Sequence, residues 1–266
     1  MAAKLGGALR VLVVLWKSFC YSLGALVLAF VIAQLWFFGN ILYLSHYDPG
    51  TTAFMERRLE VLRAKKPGAQ LRRSWVPYER ISAQLKRAVV VAEDAKFLDH
   101  EGFDWEAIQK AMTKNEQRGK VVAGASTISQ QLAKNLFLSR ERTFARKVRE
   151  ALFTVALEAS LPKSRLMEIY LNIIEWGPGI YGLGEASRHY FGVNPRNLSV
   201  QQAAFLATII PNPVRYHAMF ERGRLPASWQ HKVRNLVRKL ETNGIIDATQ
   251  AFQAEFTPLK FRSERP

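Results

Sequence analysis

Between Ser18 and Ser45 the chain carries no charged residue, and Leu, Val, Ala, Phe, Trp and Ile make up most of the run. A bilayer core about 30 Å thick is crossed by about 20 apolar residues, each rising about 1.5 Å, so the segment can span with residues to spare. The apolar core of a cleavable signal peptide runs to only about 7–15 residues, so an uncleaved anchor over 18–45 is expected. Lys4, Arg10 and Lys17 precede the span and no acid occurs before Asp48. The positive-inside rule then puts residues 1–17 in the cytoplasm and residues 46–266 outside. Trp36, Phe37, Phe38 and Tyr43 fall near the outer end, where an aromatic belt is expected.

Charge narrows the partners. Lys and Arg number 38 against 22 Asp and Glu, a net charge of +16, which favours anionic partners such as nucleic acid, lipid headgroups or phosphate-bearing substrates. A domain outside the cell membrane has little nucleic acid to meet, so no nucleic-acid role is expected. The single cysteine, Cys20, lies within the span, so the outer part has no cysteine nucleophile and no cysteine-based zinc site. A basic stretch follows the span (Arg57, Arg58, Arg63, Lys65, Lys66, Arg72, Arg73). It either lies on an anionic surface, at about 1 kcal/mol per charge, or forms a solvated helix and loop.

Beyond Pro77 the pattern is helical. Ile81, Leu85, Ala88, Val89 and Ala92 recur at helical spacing, and further helices are expected near 105–117, 127–137, 142–160, 163–173, 185–191, 199–209, 226–243 and 247–255. No alternating run is long enough to predict a strand, so the outer part reads as one mainly α domain.

Four blocks carry candidate chemistry. In the run from Glu93 to Gly102, Glu93 falls at the border of the apolar face, where partial desolvation raises a carboxyl pKa toward the range useful for proton transfer. An acidic helix end and solvated turn is the alternative. His100 has no partner at metal-ligand spacing and reads as a structural hydrogen-bonding residue. In the run from Gly124 to Asn135, Thr127 and Gln130 form a capping-box pattern. That helix start, with Lys134 further on, is either an ordinary cap or a phosphate cradle.

The third block is Arg146-Lys147-Val148-Arg149-Glu150. Val148, Leu152, Val155 and Ala159 make one apolar face, and Phe153 and Leu157 lie on the side that holds Glu150, so this helix is expected to be buried on both. A buried Glu150 needs a cation, which Arg146 and Lys147 can supply at four and three residues' distance. The pair is either structural or part of a basic site that receives pyrophosphate. The fourth block runs from Lys163 to Asn172 and continues through Glu175 and the glycines 177, 179, 182 and 184. Those glycines imply a break that forms either a ligand groove or a plain connection.

In this order, over about 76–217, the blocks Glu-Asp-x-x-Phe-x-x-His-x-Gly, Gly-x-Ser-Thr-Ile-x-Gln-Gln, Arg-Lys-x-x-Glu and Tyr-Leu-Asn resemble the glycosyltransferase domain of peptidoglycan polymerases. That family is shared by monofunctional biosynthetic transglycosylases and bifunctional penicillin-binding proteins. Gln202 stands where the family often has Glu. The monofunctional branch fits, since the only candidate Ser-x-x-Lys, Ser160 to Lys163, lies within the matching region without a Lys-Thr-Gly partner, and the chain has no room for a penicillin-binding domain.

The resemblance implies a mainly α, lysozyme-like domain with a membrane-proximal jaw subdomain, preceded by one transmembrane helix. It implies polymerisation of lipid II into glycan strands, with inversion at the anomeric carbon and release of undecaprenyl pyrophosphate. Glu93 would be the general base. Glu150, with Lys134, Arg146 and Lys147, would organise the pyrophosphate, with a divalent cation (Mg or Mn) as an allowed cofactor. Ser126, Gln131 and Asn135 would line the same groove. Implied partners are lipid II, the growing strand, membrane lipid and proteins of cell-wall synthesis, at the cytoplasmic (inner) membrane with the catalytic domain periplasmic. Two rivals are a lytic enzyme of the same architecture and a non-catalytic anchored protein that binds anionic polymer.

Overall fold

The structure, a computed structural model, describes residues 2–139, 141, 143–223 and 225–262. Arg142, the expected start of one helix, lies outside the described residues, as do Met1 and the last four residues of the expected outer domain. The chain divides into two compact units, residues 1–47 and 48–266.

The first unit is one helix, α1 (Ala2–His46). Its stretch Val11–His46 has a mean hydropathy of 2.1 over its most apolar window, and only 6% of that window is buried. Leu15, Trp16, Phe19, Leu26, Phe30 and Leu35 are all exposed. A helix apolar all round and so largely exposed is suited to lipid rather than water, and this one is long enough to cross a bilayer. It begins earlier than the apolar run itself, because nothing between Ala2 and Lys17 ends a helix: there is no proline.

The second unit is built from short capped helices. Thr52 caps α2 (Ala53–Lys65), Ser82 caps α3 (Ala83–Glu93), and Asp104 caps α4 (Trp105–Arg118). Each side-chain oxygen accepts a backbone N–H that the first helical turn leaves unpaired. The Ser82 cap places the α3 start just past Ile81, and Leu85, Ala88 and Val89 are buried as their spacing requires. Thr127 and Gln130 form the expected capping box of α5 (Ile128–Phe137), and Thr143 caps α6 (Phe144–Ser160). Next come α7 (Lys163–Ile173), α8 (Leu183–Phe191) and α9 (Val200–Ile209). Ser199 and Gln202 make the capping box of α9, so the glutamine does the N-terminal work a glutamate would do there. The chain closes with α10 (Pro213–Glu221), α11 (Ala227–Thr242) and α12 (Ala248–Phe256).

Three points depart from the sequence reading. A small sheet is present: β1 (Arg72–Arg73) runs parallel to β3 (Ile180–Tyr181), and β2 (Glu175–Gly177) runs antiparallel to β3. Strands of two or three residues leave no alternation to detect. At Gly182 (φ +77°) a Cβ would sit 2.5 Å from the Ser74 carbonyl oxygen, so the close approach beside β1 requires glycine. The second departure is α10, an unexpected helix whose start, Asn212-Pro213, is a cap followed by proline at the first turn. Third, the Val148, Leu152 and Val155 face of α6 is exposed at 43%, 64% and 55%, whereas Leu157 on the Glu150 side is buried. The α6 helix is therefore buried on one side only.

The core forms where α3 packs on α9, with α11 against both, and where α5 packs on α6 and α7. Ala203, Ala204, Phe205, Leu206 and Ile209 of α9 and Leu166, Ile169, Tyr170 and Ile173 of α7 are buried. Asn172, fully buried on α7, accepts from Val76 N–H and donates to the Val76 carbonyl, both at 2.8 Å. It thus completes the backbone of an extended segment as a strand partner would, which is why a polar side chain survives inside an apolar helix.

Candidate active site

Glu93 is the last residue of α3, where the helix stops and the chain turns toward α5. The turn is held by Asp94, whose buried carboxylate accepts from the Ile128 N–H (2.9 Å) at the start of α5 and from His100 Nε2 (2.9 Å). His100 Nδ1 in turn accepts from the Gly102 N–H, and Lys163 donates to the His100 carbonyl at 2.5 Å. The histidine is thus a structural hydrogen-bonding residue. Gly102 (φ +94°) could carry no side chain, since a Cβ would meet Thr154 Cγ2 at 2.8 Å. Its carbonyl accepts from Thr127 Oγ1 at 2.6 Å. The first block is therefore hydrogen-bonded to the start of α5 and to α7 and packs closely on α6 at Gly102, and Glu93 is carried at its fixed edge.

The Glu93 carboxylate is half-buried and accepts from Gln131 Nε2 at 2.9 Å. Burial pushes its pKa above the ordinary glutamate value, opposed by the Gln131 hydrogen bond and by the nearby Lys134 charge, and reinforced by Asp94. This is the desolvation expected from its place on the helix. A carboxylate with a raised pKa and a neutral partner can accept a proton.

Beside it opens a cavity of about 680 Å³, bounded by Gln131, Lys134 and Asn135 of α5, Arg146 of α6, Arg58 of α2 and Glu175 of β2, among others. Arg58, Lys134 and Arg146 bring three cations to its wall against one acid, Glu175, a balance that suits an anionic ligand. Glu150 stands behind Arg146, with a side chain only 3% exposed. It is bound by Arg146 at 2.5 Å and by Lys147 Nζ. Two cations on one buried carboxylate offset its desolvation and fix the Arg146 guanidinium at the cavity wall.

The structure brings most of the anticipated residues to one place. Gln131, Lys134, Asn135 and Arg146 line the cavity, Glu93 joins it through Gln131, and Glu150 through Arg146. Ser126 and Lys147 do not line it. Ser126 is exposed before α5, with its carbonyl 3.5 Å from Gln131 Nε2, and Lys147 is half-exposed on Glu150.

Three contributors were not singled out as site residues in the sequence, though Glu175 and Tyr170 lie in its fourth block. Arg58 and Glu175 form an ion pair at 2.6 Å with side chains 13% and 8% exposed. An acid between Ile173-Ile174 and Trp176 signals a buried charge in need of a partner, but nothing local marks Arg58 as that partner. The third, Tyr170, is fully buried and donates to Gln131 Oε1 at 2.9 Å.

A half-buried carboxylate with a raised pKa at the edge of a cation-lined cavity, in a mainly α unit, is an arrangement that can take up a proton beside an anionic ligand. Residues 60–241 match the transglycosylase family. The chain is 52% identical over 220 residues to the biosynthetic peptidoglycan transglycosylase of Aromatoleum aromaticum, covering 83% of this chain and 91% of that one. It is 57% identical over 196 residues to the protein of that name from Laribacter hongkongensis, covering 74% and 86%. With that of Dechloromonas aromatica it shares 56% over 188 residues, 71% and 81% of the two chains. The chain belongs to the transglycosylase family, and it is an enzyme of the glycosyltransferase class with that family's lysozyme-like, mainly α fold. The match extends on both sides of the four blocks from which the resemblance was read.

Proposed function

We propose that this enzyme polymerises peptidoglycan glycan strands from lipid II, inverting the anomeric carbon and releasing undecaprenyl pyrophosphate. The observation that carries the reading is Glu93, whose carboxylate has a raised pKa beside a cavity walled by Lys134, Arg146 and Arg58. In the proposed step the acceptor 4-hydroxyl oxygen bonds to the donor anomeric carbon while its proton passes to Glu93. The bond from that carbon to the pyrophosphate oxygen breaks, and the pyrophosphate leaves with the electron pair. Lys134 and Arg146 face the charge that grows on the leaving group, and preorganised cations there lower the barrier. Glu150 and Lys147 act behind them by holding Arg146 in position. Asn135 and Gln131 line the groove, and Ser126 lies beside it at the α5 start.

The protein's own groups fit a divalent cation poorly. Among the described residues there is no cluster of three metal-ligating side chains, and both Glu150 oxygens are already taken by cations. A magnesium or manganese ion at this site would need most of its ligands from the phosphates.

The reading also assigns residues 1–17 to the cytoplasm, 18–45 to the span and 46–266 to the periplasmic side of the inner membrane, because basic residues precede the apolar run and acids do not. Phe144, Leu152 and Val155 of α6, with Trp105 and Met112 of α4, are exposed apolar side chains that support a jaw in contact with membrane lipid. Proteins of cell-wall synthesis are proposed as further partners. The test incubates the purified full chain with labelled lipid II in detergent, beside Glu93→Gln, and separates products by size. Long polymer from the wild type alone is expected. Cleavage of preformed glycan with lipid II left intact would overturn the reading in favour of a lytic enzyme.

A further inference from the structure

The buried hydroxyl of Tyr170 has a single partner among the described residues, Gln131 Oε1 at 2.9 Å. The other end of the same amide, Nε2, donates to Glu93 Oε2 at 2.9 Å. An amide has one accepting and one donating end, so the two contacts are not independent. With Tyr170 donating to the oxygen, the nitrogen is left to face the carboxylate. If the amide turned over, its oxygen would face the Glu93 carboxylate and the Tyr170 hydrogen would lose its acceptor inside the core, and both changes are costly.

We propose that Tyr170 is a positioning residue for catalysis: by fixing the orientation of the Gln131 amide, it keeps a hydrogen-bond donor on Glu93 and holds that carboxylate in its proton-accepting form. Three features of the site support this. Tyr170 sits on α7, in the core, with its ring packed and its hydroxyl fully buried, so its position is set by the fold rather than by solvent. Gln131 is itself steadied on α5, where its backbone carbonyl accepts from Asn135 Nδ2 at 2.7 Å. Burial also keeps the phenol protonated, since its pKa is pushed well above the ordinary tyrosine value, so it remains a donor at every pH at which the enzyme works.

The charged groups that act on Glu93 are Lys134 from α5, which favours the ionised form, and Asp94 beside it, which opposes that form. Neither changes when Tyr170 loses its hydroxyl. The relay therefore makes a separable prediction. Without the tyrosine hydroxyl the Gln131 amide samples both orientations, donation to Glu93 weakens, and the Glu93 pKa rises further.

The inference rests on Glu93 as general base, so the experiment reads the two ideas separately. In full-length protein the Glu93 carboxyl is titrated by carbon-13 NMR in wild type and in Tyr170→Phe, which keeps the ring. Its pKa is expected to rise by roughly half to one unit, the size of one weakened hydrogen bond. The acidic limb of kcat against pH should move up by the same amount, while KM for lipid II stays within about twofold. An unchanged Glu93 titration in folded Tyr170→Phe overturns the relay, whatever the activity shows. A raised Glu93 titration, with Glu93→Gln fully active, would instead sink the general-base reading and leave the relay standing. Should Tyr170→Phe not fold, the wild type decides: protected Gln131 side-chain N–H signals that shift as Glu93 titrates are expected. Freely exchanging ones overturn the proposal.

Discussion

At the end of α3, Glu93 faces a neutral amide at 2.9 Å, while on α6 Glu150 faces two cations. Both are glutamates on helices of one unit, and both are withdrawn from water, Glu150 the more completely. Burial without a cation in direct contact leaves Glu93 reluctant to ionise, which suits a group that must take up a proton. Glu150, clamped by Arg146 and Lys147, serves as the anchor of a guanidinium. The comparison shows that the partner, rather than the residue type, distinguishes the two acids, and under the proposed function this divides proton transfer from charge placement.

Neutralising each acid with the same change separates them most sharply. Glu93→Gln is expected to lower kcat by about 10²- to 10⁴-fold while the fold persists, read by lipid II polymerisation and circular dichroism. Glu150→Gln leaves Arg146, with a side chain 14% exposed, beside Lys147 without a full counter-charge. A loss of about 3 kcal/mol in urea unfolding is expected, the lower end for a broken buried pair because Lys147 stays half in solvent. If Glu150→Gln proved as stable as wild type, the clamp would not be what holds Arg146 in place.

A smaller effect is expected from Gly102→Ala. A Cβ there meets Thr154 Cγ2 at 2.8 Å at a φ of +94°, so about 1–3 kcal/mol of stability should be lost. Because the Gly102 carbonyl accepts from Thr127, activity should fall with it. A drop in melting temperature without a drop in kcat would mean that the first block and α5 are less tightly joined than their bonds imply.

The smallest effect is one of sign. Since burial raises the Glu93 pKa, the folded chain holds that proton at pH values where the unfolded chain has released it. Stability therefore falls as pH rises through the interval just above the ordinary glutamate range. Glu93→Gln removes this dependence, so at neutral pH it should raise the melting temperature slightly, whereas Glu150→Gln should lower it. Two variants shifted in the same direction would erase the distinction between the acids.

Much of this could be read from local pattern. The Thr127 and Gln130 box, the Leu85, Ala88 and Val89 face, and the attachment of Arg146 and Lys147 to Glu150 all lie within one or two helical turns. The face of Val148, Leu152 and Val155 was equally apolar and equally periodic, yet it is exposed. Periodicity marks an apolar side without saying what covers it. Likewise the two- and three-residue strands of the sheet carry no local signal, because β1 pairs with a segment more than a hundred residues away.

The amino-acid sequence determined the apolar span, the caps, the acids and the cations, because each follows from neighbours along the chain. Tertiary structure alone decided that Arg58 would meet Glu175 across 117 residues and that Tyr170 would orient the Gln131 amide toward Glu93. Those contacts depend on which helix faces which, and packing of α5 on α6 and α7 settles that through the summed burial of many side chains rather than through any short motif.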